Sequence, residues 1–304
     1  MSAKSPPPTP DLAELTPSWV LTLRAQRKSK ATIEQYEIAV RLFVRWCEAN
    51  GHTPVIDRQL VQRFVADIME GGVAPSTATL RLSALKQFTR WLIEEGELDD
   101  NPLLGVKAPK VDVKMVDALT DDELRLLLRA CSGKEFRDRR DEMVVRLLVE
   151  TGMRAGEVLG LTVEDLDPGR GLVMIHKTKT GRGRYAPFSP QTGEAVDRYL
   201  RMRRKHKLGH TPTFLLGDNN RGTIAYHGLR DAIMDRAEAA GIKNFRLHRL
   251  RHTAATRWLS RGGSEGGAMA VMGWQSPQML HRYVAATASE RAVAEARTLG
   301  LGDL

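Results

Sequence analysis

Apolar residues recur at helical spacing through the first hundred positions. Leu15, Trp19, Val20 and Leu23 predict a helix from residue 12 to about 27. Over residues 29–50, Ile33, Tyr36, Val40, Phe43, Val44 and Cys47 form one stripe, and Gly51 is suited to cap its end. A third helix is expected over 57–70, with Leu60, Val61, Phe64, Val65 and Ile68 inward and Gly71-Gly72 stopping it. A fourth begins near Ser76, just after Pro75, and runs to Glu95, with Leu82, Leu85, Phe88 and Leu92 inward and Gly96 closing it. Four helices in so short a span predict a bundle with its own core.

The pattern changes after Asn101-Pro102. Residues 105–118 contain Lys107, Pro109, Lys110 and Lys114 and show no period, as expected of an extended basic linker. Thr120-Asp121-Asp122-Glu123 then matches a capping box ahead of Leu124, Leu127 and Leu128. A helix over 137–150 is apolar at Met143, Val144, Leu147 and Leu148; Gly152 breaks it, and a short helix starts near Ala155. Residues 171–188 read as a β-hairpin, 172–175 against 184–188, with a turn that holds Lys177 and Lys179. Helical signals resume over 191–206, 226–240 with Gly241 as cap, and along Leu247, Leu250, Ala254 and Trp258. A short apolar helix ends at Gly273-Trp274, and Ser276-Pro277 opens another that carries Tyr283. The tail from Ser289 has a thin stripe of Ala292, Val293, Ala296, Leu299 and Leu301. The expectation is a mainly α chain with a small β component: a tail 1–11, a helical domain 12–104, a linker 105–118, an α+β domain 119–288 and a C-terminal segment 289–304.

Composition narrows the partners. The formal net charge of +9 favours a polyanion, nucleic acid first and an anionic membrane second. No apolar run is long enough to span a bilayer, so no membrane role is expected. The first ten residues lack an apolar core and read as a flexible tail rather than a signal peptide. Two cysteines, Cys47 and Cys131, make neither a disulfide framework nor a zinc site, which fits a reducing cytoplasm. Arg81, Lys86 and Arg90 fall on outward positions of the bundle and Lys107 in the linker. The densest basic run, 201–207, includes Arg201 and Arg204. These six are the candidate DNA-backbone contacts, although ordinary solubilising charge explains each of them singly as well.

The candidate chemistry centres on His248-Arg249-Leu250-Arg251-His252. On a helix His248 and Arg251 share one face, and two donors pointing the same way suit an oxyanion such as a phosphate. Taken alone, so short a pattern fits a solvated basic helix face better than a phosphate site. Arg154 falls at a helix N-terminus, where backbone N–H groups also favour anions, and Glu157 is one turn on, placed to hold its guanidinium. There is no phosphate-cradling G-x-x-x-x-G-K-[ST] loop and no metal-spaced His/Cys set.

Five pieces in order resemble the tyrosine recombinases, also called the phage integrase family. They are Thr151-Gly152-Met153-Arg154-Ala155-Gly156-Glu157, Thr178-Lys179-Thr180-Gly181, His248-Arg249-Leu250-Arg251-His252, Met272-Gly273-Trp274 and His281-Arg282-Tyr283. The resemblance spans about residues 14–290 and implies an N-terminal SAM-like core-binding bundle followed by an α+β catalytic domain. It implies that Tyr283 is the nucleophile, that Arg154 and Arg251 bind the phosphate, that His248 handles a proton and that Lys179 is the general acid; Lys177, two residues earlier, is the alternative, and the Lys-Thr-Gly match favours Lys179. Glu157 matches the acidic residue that supports the first arginine. Trp274 stands where most members have histidine; it has one N–H donor and does not titrate, so proton transfer rests on His248 and Lys179. The implied reaction passes through a 3′-phosphotyrosine and a Holliday junction, without cofactor. The implied partners are duplex recombination sites, three further copies in a homotetramer and an accessory or directionality protein, in the cytoplasm at the nucleoid. The start of the bundle so near the N-terminus points to short forms without an arm-binding domain, such as Xer-type resolvases or small phage and plasmid integrases. A type IB topoisomerase-like enzyme would share the tyrosine and arginines but rejoin the same strand. A DNA-binding protein without catalysis would not need the phenol.

Overall fold

The computed structural model describes residues 10–111, 118–176, 183–218 and 222–280, together with 292, 293 and 296. Lys177, Lys179, Tyr283 and most of the C-terminal segment lie outside the described residues. Two compact units divide the chain, Met1–Val113 and Lys114–Leu304.

In the first unit, side-chain caps set three helix starts. Asp11 caps α1 (Leu12–Ala25), Ser29 caps α2 (Lys30–Ala49) and Asp57 caps α3 (Arg58–Glu70), each accepting from free backbone N–H groups of the first turn. Pro75 opens α4 (Pro75–Glu94), where its missing N–H costs nothing. The helices pack around aromatic residues: Trp19 lies 4.8 Å from Phe88 and Phe43 lies 5.4 Å from Phe64 between ring centroids. Each such side chain contributes about 1.5–3 kcal/mol by leaving water. Leu103 and Val106 are buried in the same core, so the first residues of the expected linker are part of the bundle. Two cationic side chains hold that segment. Arg58 donates to the Leu104 carbonyl at 2.7 Å and Lys86 donates to the Val106 carbonyl. Lys86 is therefore not the outward-facing residue the helical period predicts; its long stem lets the ammonium bend to a carbonyl that needs a donor.

The second unit is built on α6 (Phe136–Thr151), which follows α5 (Asp121–Ala130) and its capping box of Thr120 and Glu123. After α7 (Ala155–Leu159) come β1 (Leu166–Asp167), β2 (Leu172–Ile175) and β3 (Arg184–Pro187), an antiparallel sheet in that order. Val173 pairs with Ala186 and Ile175 with Arg184, which fixes the inward face of the hairpin. β1 has two residues, too few to show a period of two. The remaining helices are α8 (Pro190–Arg204), α9 (Tyr226–Ala239), α10 (His248–Ser260) and α11 (Glu265–Met272). α6 packs against α8 and α10 above all, with α5, α7 and α9 also touching it. It buries Arg140, Asp141 and Glu142 as well as its apolar stripe. Asp141 accepts from Arg140 Nε and Arg236 Nε, both at 3.0 Å, so the buried carboxylate is paired.

The basic run at the end of α8 is a further correction. Arg203 is buried and donates to the carbonyls of Gly209, Thr211, Thr213 and Phe214. It is neither a phosphate contact nor a solvated charge; it organises the loop after α8. Both cysteines are buried, Cys47 in the bundle and Cys131 at the end of α5. Burial first, and nearby carboxylates second, push their pKa values up to about 11 and about 12. Among the described residues no helix is long and apolar enough to cross a membrane.

Candidate active site

The site begins with a glycine. α6 ends at Gly152, which takes the left-handed conformation at φ 60°. A Cβ there would lie 1.9 Å from Met272 Sδ, so a glycine lets the ends of α6 and α11 meet. Two residues later Arg154 is the N-cap of α7. Its backbone N–H donates to Glu157 Oε2 at 2.7 Å and its Nη1 donates to Glu157 Oε1 at 3.0 Å. The placement expected from sequence for this pair is found. Glu157 is buried, which by itself would raise its pKa. Hydrogen bonds from the Arg184 side chain and the Arg154 backbone, with both guanidinium charges, outweigh burial and hold the carboxyl below the usual range.

α10 supplies the opposite wall. Leu247, Leu250 and Ala254 are buried, as its period predicts. Arg251 is only 3% exposed. Its Nη1 donates to the Gly152 carbonyl and its Nη2 to the Met272 carbonyl at 2.8 Å, joining the two helix ends. Arg249 is also buried and donates to the Lys243 carbonyl at 3.1 Å. The solvated-face reading of this motif therefore fails. Trp274 is buried beside Met272, Ala255, Leu259 and Leu280, and the Arg251 guanidinium carbon sits 5.6 Å from its ring centroid. Such a contact contributes about 0.5–2 kcal/mol. His248 opens onto the cleft at the start of α10. Partial desolvation by the cleft walls, then the positive charges of Arg251 and Arg154, lower its pKa below the ordinary 6.5. That shift favours the neutral ring, the form that can accept a proton.

Arg154, His248 and Arg251 line one cleft of about 540 Å³, together with Met153, Gly156 and Tyr226. Residues about a hundred positions apart thus face a common space. Lys179, its alternative Lys177 and Tyr283 lie outside the described residues. The other candidate contacts are elsewhere. Arg90 and Lys107 are exposed and Arg81 is half-buried in the first unit; on α8 Arg204 is exposed and Arg201 pairs with Asp197. Sequence reasoning missed two residues. Tyr226 is exposed in the cleft, with no sequence signal to single it out. Arg184 donates from Nη1 and Nη2 to the two Glu157 oxygens, at 3.1 and 2.8 Å. Its signal was parity: it shares the inward face of β3 with the buried Ala186, where a charge needs a partner.

The profile of the phage integrase family matches residues 117–290. The chain belongs to the phage integrase family. The N-terminal SAM-like domain of phage integrases matches residues 17–96. The tyrosine recombinase XerC of Mycobacterium tuberculosis is 30% identical over 264 residues, covering 84% of this chain and 87% of that one. Two solved structures share the fold. The Tn1549 transposon integrase in complex with transposon right end DNA aligns with a TM-score of 0.74 at 18% identity, covering 95% of this chain and 99% of that one. A λ integrase tetramer bound to a Holliday junction aligns at 0.70 and 19%, covering 91% and 78%. This integrase-family chain is thus an enzyme of the tyrosine recombinase class, XerC-like in site-specific recombination, with the SAM-like and catalytic domains expected of it.

Proposed function

We propose that the cleft takes one phosphodiester of a duplex recombination site and transfers it to Tyr283. The observation that carries this reading is the convergence of Arg154, His248 and Arg251 on one space. A phosphodiester repels nucleophiles, and a free phenol with pKa about 10 is a weak one at neutral pH. The two guanidiniums neutralise the non-bridging oxygens and the charge that grows in the pentavalent transition state. Tyr283 Oη bonds to phosphorus and passes its proton to neutral His248. The bond from phosphorus to O5′ breaks, and Lys179 gives that oxygen its proton. The products are a 3′-phosphotyrosine and a free 5′-hydroxyl. One phosphate ester replaces another of similar energy, so no ATP is required. Glu157 holds Arg154, and Trp274 packs beneath Arg251 without taking part in proton transfer.

A 5′-hydroxyl from a second duplex then attacks the phosphotyrosine, which exchanges strands; a second round resolves a Holliday junction. Four protomers on two sites supply the four tyrosines, with the C-terminal segment 289–304 joining neighbours. The similar λ integrase fold as a tetramer on a Holliday junction supports this arrangement. The bundle, Arg81, Arg90, Lys107, Arg201 and Arg204 bind the DNA backbone, with Lys86 contributing after release from Val106; an accessory protein sets direction, at the nucleoid. Nicked suicide duplexes from DNA flanking the gene test the reading. Wild type should leave an SDS-resistant protein–DNA adduct and Tyr283→Phe none, with binding retained. Adduct from both removes Tyr283 from the role; adduct from neither overturns the reading. Added partner duplex should yield recombinant strands rather than simple relaxation.

A further inference from the structure

Arg184 is more deeply committed to the site than Arg154 itself. Its side chain is 13% accessible, against 39% for Arg154. The fork of Arg184 grips both oxygens of Glu157, and its Nε donates to the Val271 carbonyl at 2.8 Å. Four donors fill the carboxylate: the Arg184 fork, the Arg154 backbone N–H and Arg154 Nη1. The guanidinium also packs on Gly273, where a Cβ would come within 2.8 Å of Nη1. Arg184 thus joins three pieces of chain: its own strand β3, α7 with Glu157, and the end of α11 just before Trp274.

Charge balance gives this arrangement a consequence. One buried carboxylate beside one guanidinium is a neutral pair, which offers little to a phosphate. Two guanidiniums on the same carboxylate leave one positive charge over. Arg184 is largely enclosed and has carbonyl and carboxylate partners for its donors, so the surplus is expressed at Arg154, on the cleft. We propose that Arg184 is a positioning residue for strand cleavage: it occupies Glu157, and so fixes the Arg154 guanidinium in place and leaves its charge available to the scissile phosphate. This rests on the cleavage reading above.

The test is a double-mutant cycle on the nicked suicide duplexes, read as the rate of adduct formation. Arg184→Ala should slow adduct formation about 10- to 100-fold, the range that slight misplacement of a catalytic group costs. Arg184→Lys keeps the charge without the fork and should fall between. Glu157→Gln added to Arg184→Ala should make it no slower, because the carboxylate that captures Arg154 is gone. Independent, multiplying losses would overturn the proposal. Sulfur in place of the 5′-oxygen supplies a leaving group that needs no proton. If it restored Arg184→Ala, Arg184 would serve the leaving group rather than Arg154, and the proposal would fail. A DNA-free reading separates this from the cleavage mechanism. In the NMR titration of His248, Arg184→Ala should move the midpoint upward as Arg154 is drawn to Glu157, and Glu157→Gln should reverse the move. An unchanged midpoint overturns the positioning role even if wild type cleaves DNA. A shifted midpoint in a protein that forms no adduct would show Arg184 holding Arg154 in place but would overturn its role in strand cleavage together with the cleavage reading. Should Arg184→Ala not fold, Arg184→Lys carries both readouts.

Discussion

His248 shares its cleft with two permanent positive charges, and the consequence is a pH dependence of known sign. Protonating it adds a third charge beside Arg154 and Arg251, so its folded pKa lies below the unfolded 6.5. Between the lowered value and 6.5 the unfolded chain binds more protons than the folded one, so stability rises with pH across that window and is flat on either side of it. A proton acceptor at this position should keep working down to pH below 6.5 and then fail. A rate profile of adduct formation between about pH 5 and 8 should show an acid limb below 6.5, and His248→Gln should be slower and lack it. An acid limb that survives His248→Gln would assign the titration to another group. The main cleft residues were legible because their motifs are compact: Arg154 is three positions from Glu157, and His248 is three from Arg251. Arg184 was not, since Glu157 is 27 positions away and strand parity alone pointed inward.

At the level of elements, caps and breakers made most helices readable. Asp11, Ser29, Asp57 and Thr120 start helices, and Gly152 and Gly273 end them. Periodicity counts apolar residues, however, and passes over polar ones that go inside. The basic run at the end of α8 shows this, since Arg203 looks like its neighbours in sequence and is buried among carbonyls. Tyr199 completes the same knot, donating to the Phe214 carbonyl at 2.9 Å and accepting from the Leu216 N–H at 3.1 Å. Arg203→Met would strand those carbonyls. It should lower stability by about 2–4 kcal/mol, since charged hydrogen bonds contribute about 1.5–3 kcal/mol each and the loop relaxes in part. Arg204→Met, one residue on and exposed, should change it by less than about 0.5 kcal/mol. Denaturant melts of the two variants compare them directly. Equal losses would mean that the loop does not depend on Arg203.

For the whole molecule, the switch from a continuous helical period to mixed α and β signals marked two folding units. The central place of α6 was hidden, because its first half is charged and reads as surface. Its buried Arg140 and Asp141 find partners on distant segments, Asp218 and Arg236, which no local pattern announces. Each unit also encloses one thiol, Cys47 in one and Cys131 in the other. A thiol that is inaccessible and protonated does not react with an alkylating reagent; it reacts when its surroundings open. The chain therefore carries a built-in clock for each half. Timed alkylation followed by peptide mass spectrometry should give two separate labelling rates, each the opening frequency of one unit, and DNA bound to the enzyme should slow whichever unit it clamps.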